Sequence, residues 1–318
     1  PCASGRFIPA SQDEIIFSGH TIEARLYAED PYSNFAPQTG RILHFQPEHG
    51  LRPGLRIDSG IVEGDTVTPY YDPMLAKVIA HGRDRNDAIQ RLMAALEDAP
   101  LLGLATNGRL LRDLVDHDRF RAAQMHTALL DEWSINGEAI LQQPQPNESD
   151  WKLAAAMLAG NVGWRATSAA SFDLTLTCAE ERRTLRIEFA GETTKVGDGD
   201  TATPVQLRAP TNGRQRYTLD GITRHAVVHC DGATLHLASD AAVFVFTEAS
   251  PFPIVEATHD PRIARAAVAG TVARLEVGAG DTVIAGQTLA IVEAMKMEMR
   301  VVANASGTVV KVRARVGD

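Results

Sequence analysis

The sequence predicts a multidomain α+β protein built from three units in a row. Strand-like and helical segments mix in residues 1–133, alternating strands dominate residues 151–250, and residues 263–318 are β-rich and contain an internal repeat. Polar, proline-containing segments at 134–150 and 251–262 separate the units, and this composition is typical of linkers.

In the first unit, strands give way to helices along the chain. Residues 21–27 alternate between apolar and polar, which is the period of a strand. Residues 84–98 carry an apolar stripe at three- and four-residue spacing, which predicts a helix with one buried face. Two more helices are expected, one around residues 110–115 and one over residues 125–133. The stripe consists of Ala88, Ile89, Leu92, Met93 and Leu96.

The middle unit is predicted to be a short helix followed by antiparallel strands. The helix is expected over residues 151–158. Apolar residues then recur at every second position, as in Phe172, Leu174 and Leu176, and further strands are expected at 222–229 and 242–247. Short strands separated by Gly and Asp turns indicate a small antiparallel sheet or barrel.

Composition excludes several classes of protein. Hydrophobic residues make up 44% and charged residues 22% of the chain, which is typical of a globular protein. The net charge of −9 argues against a nucleic-acid partner, and no run of 18 apolar residues predicts a membrane span. The 3 cysteines have no paired spacing, so neither a zinc site nor a disulfide framework is predicted and a reducing compartment is expected. No metal site is predicted.

The last unit repeats itself. Gly270-Thr271-Val272 is followed by Val277, Gly278 and Asp281, and Gly307-Thr308-Val309 is followed at nearly the same spacing by Val316, Gly317 and Asp318. The spacing from the first glycine to the aspartate is identical in both copies. We therefore interpret the segment as two quasi-symmetric halves.

Between the two copies lies a lysine flanked by methionines. Strands are expected on both sides of the segment Val292-Glu293-Ala294-Met295-Lys296-Met297-Glu298-Met299, which places Lys296 at the exposed tip of a hairpin. An enzyme that modifies the ε-amine must reach it, and a prosthetic arm attached there must move freely.

This segment resembles the biotinyl (biotin carboxyl carrier) domain, a flattened β-barrel of two similar halves. The resemblance implies that Lys296 carries covalent biotin and that Ala294, Met295 and Met297 complete the attachment motif. A lipoyl domain has the same fold and a lysine at the same tip, but its lysine is usually flanked by Asp and Ala. The paired methionines favour biotin.

Residues 19–133 resemble the C-terminal subdomain of biotin carboxylase, a member of the ATP-grasp family. An arginine just before the Pro-Tyr-Tyr-Asp segment stabilises the enolate oxygen of biotin in this family, and the resemblance assigns that role to Arg56, with Arg52 as the nearby competitor. Guanidinium suits the role because it stays charged at any working pH. The matching segments are 19–31, 37–40, 69–77 and 106–107.

Together, the resemblances imply the biotin-bearing alpha subunit of an acyl-CoA carboxylase of the methylcrotonyl, geranyl, propionyl or acetyl type. ATP and Mg²⁺ are then cofactors of the full-length enzyme. The implied partners are a carboxyltransferase beta subunit, which acts on the acyl-CoA, and a biotin protein ligase. The expected assembly is a hetero-oligomer in the cytoplasm, or in the mitochondrial matrix of a eukaryote. The middle unit is assigned, by its position in the chain, to the domain that docks the carboxyltransferase.

Alternatives remain open at this point. Pyruvate or urea carboxylase also bears biotin, although the stretch between Trp133 and Ile263 is too short for the carboxyltransferase barrel of a single-chain pyruvate carboxylase. A non-catalytic carrier of the lipoyl type is the alternative from another class. The chain is expected to be a fragment that lacks the phosphate-binding half and one final strand, and to be inactive alone.

Overall fold

The computed structural model describes residues 5, 11–160, 169–190, 193–197, 202–211, 213–249, 260, 262–295 and 297–318. Three successive units are visible: an α+β unit, a closed β-barrel with a helix packed against its inner face, and a pair of small sheets. No helix among these residues is long and apolar enough to cross a membrane.

The first unit is centred on a three-stranded antiparallel sheet in the order β1-β7-β5. Inward-facing Ile22, Ala24 and Leu26 alternate with exposed residues along β1, which confirms the predicted strand. Two further pairs, β2 with β3 and β4 with β6, extend the unit. The strands are β1 (His20–Tyr27), β2 (Glu29–Asp30), β3 (Ala36–Pro37), β4 (Gly40–Arg41), β5 (Leu55–Ser59), β6 (Thr66–Val67) and β7 (Met74–Gly82), and 3₁₀ turns span Gln12–Glu14 and Pro47–Gly50.

Helices cover one face of this sheet. The apolar stripe of α1 is buried against β1 and β7, as predicted, and the Asp84 side chain caps the helix by accepting the N–H of Asp87. The predicted third helix begins later than expected, at Leu129, because a turn occupies the residues just before it. The helices are α1 (Arg85–Asp98), α2 (Gly108–Asp116), α3 (Asp118–Arg121) and α4 (Leu129–Asn136), and a 3₁₀ turn spans Ala139–Leu141.

The middle unit is an antiparallel barrel closed in the order β10-β11-β12-β13-β14-β15-β8-β9. Closure leaves no unpaired edge. The helix α5 is buried on most of its circumference and packs against strands on several sides of the barrel, so it belongs to the barrel core. The elements are α5 (Glu148–Gly160), β8 (Ala169–Cys178), β9 (Glu181–Ala190), β10 (Thr193–Val196), β11 (Thr203–Thr211), β12 (Arg214–Leu219), β13 (Ile222–Asp231), β14 (Thr234–Ser239) and β15 (Ala242–Glu248).

The last unit contains a three-stranded sheet in the order β16-β18-β19 and a two-stranded sheet of β17 and β20. Strands β18 and β19 are consecutive and form the predicted hairpin. The strands are β16 (Thr271–Leu275), β17 (Thr282–Val283), β18 (Thr288–Ala294), β19 (Met297–Val302) and β20 (Gly307–Thr308).

The two copies of the repeat form equivalent contacts, which confirms the internal symmetry. Asp281 accepts the N–H of Gly278 at 2.7 Å, and Asp318 accepts the N–H of Arg315 at 2.7 Å. Each copy also bonds to the other, because Gly280 donates to the Val309 carbonyl at 2.8 Å while Gly317 donates to the Val272 carbonyl at 2.9 Å. The repeated Gly-Asp pair therefore interlocks the two halves.

Candidate functional site

The tip of the β18–β19 hairpin is a two-residue connection. Ala294 and Met297 are paired across the strands, so only Met295 and Lys296 lie between them. Lys296 itself lies outside the described residues. Met295 has a φ of 49°, because such short connections require left-handed backbone. A methionine in this conformation carries strain of about 1 kcal/mol, which the surroundings must offset.

The hairpin tip contacts the first unit. The Met295 N–H donates to the carbonyl oxygen of Pro69 at 3.0 Å. The Met295 side chain is only 4% exposed and belongs to a buried cluster whose other members all come from the first unit. Ala294 is also buried, whereas Met297 is half-buried. The residue that precedes Lys296 is therefore enclosed by the unit that resembles biotin carboxylase.

The carbonyl that receives this hydrogen bond lies in the Pro-Tyr-Tyr-Asp loop between β6 and β7. Tyr70 and Tyr71 in this loop are 82% and 78% exposed. The Asp72 carboxylate accepts the N–H of Met74 at 3.2 Å and so shapes the turn into β7. The loop presents aromatic surface beside the hairpin tip.

Arg56 lies on β5, opposite Ile79 of β7. Its side chain is 72% exposed, and Nε donates to Oδ1 of Asp58 at 2.7 Å. That hydrogen bond raises the pKa of Arg56 and lowers the pKa of Asp58. The two Nη groups make no hydrogen bond to the residues that the structure describes, so they are available to an anionic group.

Arg52 has a different environment. Its Nη2 pairs with the Asp98 carboxylate at the end of α1. Asp98 also receives Nη1 of Arg214 at 2.9 Å on the carboxylate and Nη2 at 2.7 Å on its carbonyl. Arg52 therefore takes part in a network that connects the first unit to the barrel, and this arrangement favours Arg56 over Arg52 as the ligand-facing arginine.

Strand β7 connects the loop that contacts the hairpin tip to the position opposite Arg56. The strand begins at Met74, just after the Pro-Tyr-Tyr-Asp loop, and reaches Ile79 opposite Arg56. Five residues of extended strand span roughly 17 Å. This length of strand separates the end of the loop from Arg56, so a group carried at the tip would approach Arg56 on a long, flexible arm, and a lysine side chain joined to biotin by an amide would be such an arm. The residues present fit this prosthetic group.

The described residues hold no group of three or more His, Cys, Asp and Glu side chains that could bind a metal ion. Cys178 is buried, which raises the pKa of its thiol to about 11 and makes it a poor nucleophile. The contact of Met295 with the first unit was not predicted from the sequence. Its only sequence signal is a bulky apolar residue at an expected exposed tip.

Comparison with known proteins finds a family match in each unit. Residues 23–132 match the biotin carboxylase C-terminal domain. Residues 137–251 match the BT domain of the methylcrotonyl-CoA carboxylase alpha-subunit, and residues 259–318 match the biotin-requiring enzyme family.

Relatives match along almost the whole chain. The mitochondrial propionyl-CoA carboxylase alpha chain of Rattus norvegicus is 27% identical over 343 residues, covering 99% of this chain and 46% of that protein. The mitochondrial methylcrotonoyl-CoA carboxylase subunit alpha of Arabidopsis thaliana is 25% identical over 371 residues, covering 99% of this chain and 50% of that protein. The chain thus spans about half the length of these relatives. The solved biotin carboxylase subunit of pyruvate carboxylase overlaps 45% of this chain and 30% of its own, at 32% identity and a TM-score of 0.41.

Proposed function

We propose that the chain is part of a biotin-containing alpha subunit of an acyl-CoA carboxylase, that it carries biotin on Lys296 and that it takes part in ATP- and bicarbonate-dependent carboxylation of that biotin. The observation that carries the proposal is the β18–β19 hairpin, whose tip holds the Ala-Met-Lys-Met motif beside the Pro-Tyr-Tyr-Asp loop. We infer that the two small sheets are the layers of a flattened biotinyl barrel.

Each named residue then has a distinct role. Lys296 provides the ε-amine that forms an amide with the carboxyl group of biotin, and the resulting arm is long and flexible. Bound biotin supplies a ureido nitrogen that can accept and release a carboxyl group. Arg56 places a permanent positive charge on the exposed face of β5, where it stabilises negative charge on a ureido oxygen. Asp58 holds the Arg56 guanidinium through Nε and leaves the Nη groups directed elsewhere.

The proposed partners follow from the family. A carboxyltransferase beta subunit receives the carboxyl group and transfers it to an acyl-CoA, a biotin protein ligase loads Lys296, and ATP and Mg²⁺ serve the complete enzyme. The names of the matching family and relatives make methylcrotonyl-CoA and propionyl-CoA the two candidate acyl-CoA substrates of the partner. We propose a reducing compartment: the cytoplasm or, as in the relatives' names, the mitochondrion.

Intact mass tests the attachment site. The chain is co-expressed with a biotin protein ligase as wild type, Lys296→Ala and Lys311→Ala. Lys311 is an exposed lysine of the same unit and serves as the matched control. We expect one biotin adduct in the wild type and in Lys311→Ala and none in Lys296→Ala. A biotin adduct that survives in Lys296→Ala, or a lipoyl adduct in the wild type, contradicts the proposal.

Arg56 is tested in the complete enzyme, assembled with its carboxyltransferase. Removing one donor to a developing oxyanion typically lowers the rate about 10²–10³-fold. We expect Arg56→Ala to lower biotin carboxylation on this scale with little change in the Kd for ATP. Arg52→Ala is the matched control and is expected to lower stability rather than turnover, because Arg52 pairs with Asp98. The reverse pattern would assign the role to Arg52.

A further inference from the structure

Met295 lies in a buried cluster to which its own unit contributes no other member. The cluster otherwise consists of first-unit residues from β1, β6, β7 and the connecting segments. Its members besides Met295 are Leu26, Ala28, Ile42, Phe45, Val67, Leu75, Ala76, Leu101 and Leu104. A side chain at the tip of a hairpin would ordinarily be solvated, so its burial against another unit needs a cause.

The backbone of Met295 forms a second contact with the same unit. In a two-residue hairpin, the N–H of the first connecting residue points away from the strand ladder and needs an outside partner. Here that partner is the Pro69 carbonyl, at 3.0 Å. One residue therefore combines an apolar contact and a directional hydrogen bond, and the two together fix both the position and the orientation of the tip.

The strained backbone of Met295 also supports a role in docking. Its φ of 49° is unfavourable for any residue with a side chain other than Asn or Asp, and Gly would relieve the strain. The turn itself is therefore not stabilised by a methionine at this position. The contact that buries the methionine side chain is with the first unit.

We propose that Met295 is a positioning residue that anchors the hairpin tip on the first unit of the same chain, next to the Pro-Tyr-Tyr-Asp loop. The inference rests on the proposed function, because docking brings the arm on Lys296 to the unit that carries Arg56. The anchor is one side chain and one hydrogen bond, so the tip can also leave. The Met295 side chain must then be re-exposed each time the arm travels to a second site.

Hydrogen exchange of the full chain tests the anchor without any need for biotin. Met295→Gly removes the side chain and relaxes the turn, so the hairpin survives and only docking is lost. Loss of a buried methionine corresponds to about 10- to 100-fold faster exchange at the tip and at residues 66–76. Amides in the middle of β18 and β19 should exchange as in the wild type. Met295→Leu, of similar volume, should restore protection, and Met297→Ala, which changes the half-buried residue across the turn, should leave it unchanged.

Several results would overturn the inference. Unchanged protection of the tip in Met295→Gly would mean that Met295 does not anchor it. Equal loss in Met297→Ala would point to the hairpin as a whole, and protection that rises with protein concentration would place the tip on a second copy of the chain. The Lys296→Ala chain should keep its protected tip although it cannot carry biotin. Failure of docking and failure of biotin attachment are therefore separate outcomes.

Discussion

The barrel and the last unit differ in how they are held together. The barrel encloses a core around α5 that includes fully buried Trp151, Leu176, Ile187 and Phe246. The last unit has no fully buried large side chain among its described residues, and Ile284, Val310 and Val316 are exposed. It combines a few buried residues, such as Ile291 and Val292, with the interlocked Gly-Asp turns and the contact of Met295 with the first unit. The barrel is therefore a self-sufficient scaffold, whereas the last unit is shallow and suited to detachment.

The largest expected effect is on the barrel core. Trp151 packs edge-to-face on Phe246 with ring centroids 5.0 Å apart, and the Arg183 guanidinium lies 4.7 Å above its ring. We expect Trp151→Ala to cost about 3–5 kcal/mol of barrel stability, because it leaves a cavity beside α5. Denaturant unfolding of the full chain measures the loss, and the interlocked turns of the last unit should be unaffected.

Two variants serve as controls for that loss. Trp151→Phe keeps a ring against Phe246 and removes Nε1, which is buried and has no hydrogen-bond partner among the described residues. We expect it to cost much less than Trp151→Ala. Trp133→Ala removes a buried tryptophan from the first unit instead and should leave the unfolding of the barrel unchanged. A barrel that tolerates Trp151→Ala would contradict the view that the barrel is stabilised mainly by its own buried core.

Local patterns predicted much of the fold. The alternation along β1, the stripe of α1 and the repeat of the last unit all appear in the structure, because each depends on residues close in sequence. The short helix at 151–158 was predicted, but its burial against the inner face of the barrel was not. A helix and the strands that enclose it are far apart in sequence, so their packing leaves no periodic signal.

The candidate site was predictable to a similar extent. The motif around Lys296 and the position of Arg56 could be assigned by resemblance, and the hairpin agrees with the structure. The docking of Met295 on Pro69 could not be predicted, because the two residues are far apart in sequence and belong to different units. The sequence likewise could not show that Arg52 is held in an ion-pair network and Arg56 is not. That difference depends on Asp98 and Arg214, which only the folded chain brings together.

A pair of isoleucines, one in the barrel and one in the last unit, allows the packing of the two cores to be compared directly. The expected stability changes are smaller than that of Trp151→Ala. Ile187 of β9 is 0% exposed, and Ile291 of β18 is 8% exposed. Removing one methyl group from a buried isoleucine typically costs about 0.5–1.5 kcal/mol. We expect Ile187→Val near the upper end of that range and Ile291→Val near the lower end, because the shallow unit can relax around the change. Equal losses in denaturant unfolding would contradict the view that the two cores differ in packing.

The smallest expected effect concerns the charge of Asp150, at the start of α5. Its carboxylate accepts the N–H of Asn147 at 2.9 Å, while Asn147 accepts the N–H of Asp150 at 3.0 Å, so the pair caps the helix. Burial raises the pKa of Asp150 despite this hydrogen bond. The unfolded chain therefore releases the proton first, and the contribution of Asp150 to barrel stability falls as pH rises from about 4, the unfolded value, through the raised folded pKa.

Asp150→Asn keeps an acceptor for the cap and removes this loss. Its stability relative to the wild type should therefore rise across that window and slightly exceed the wild type at neutral pH. Asp220→Asn is the matched control, because Asp220 is exposed in the β12–β13 turn, where its φ of 53° suits asparagine equally well. The test is to measure unfolding midpoints of both variants and the wild type from pH 4 to pH 7. A wild-type barrel that gains stability over this range relative to Asp150→Asn would contradict the prediction. It would mean that the helix cap favours the ionised carboxylate by more than burial disfavours it.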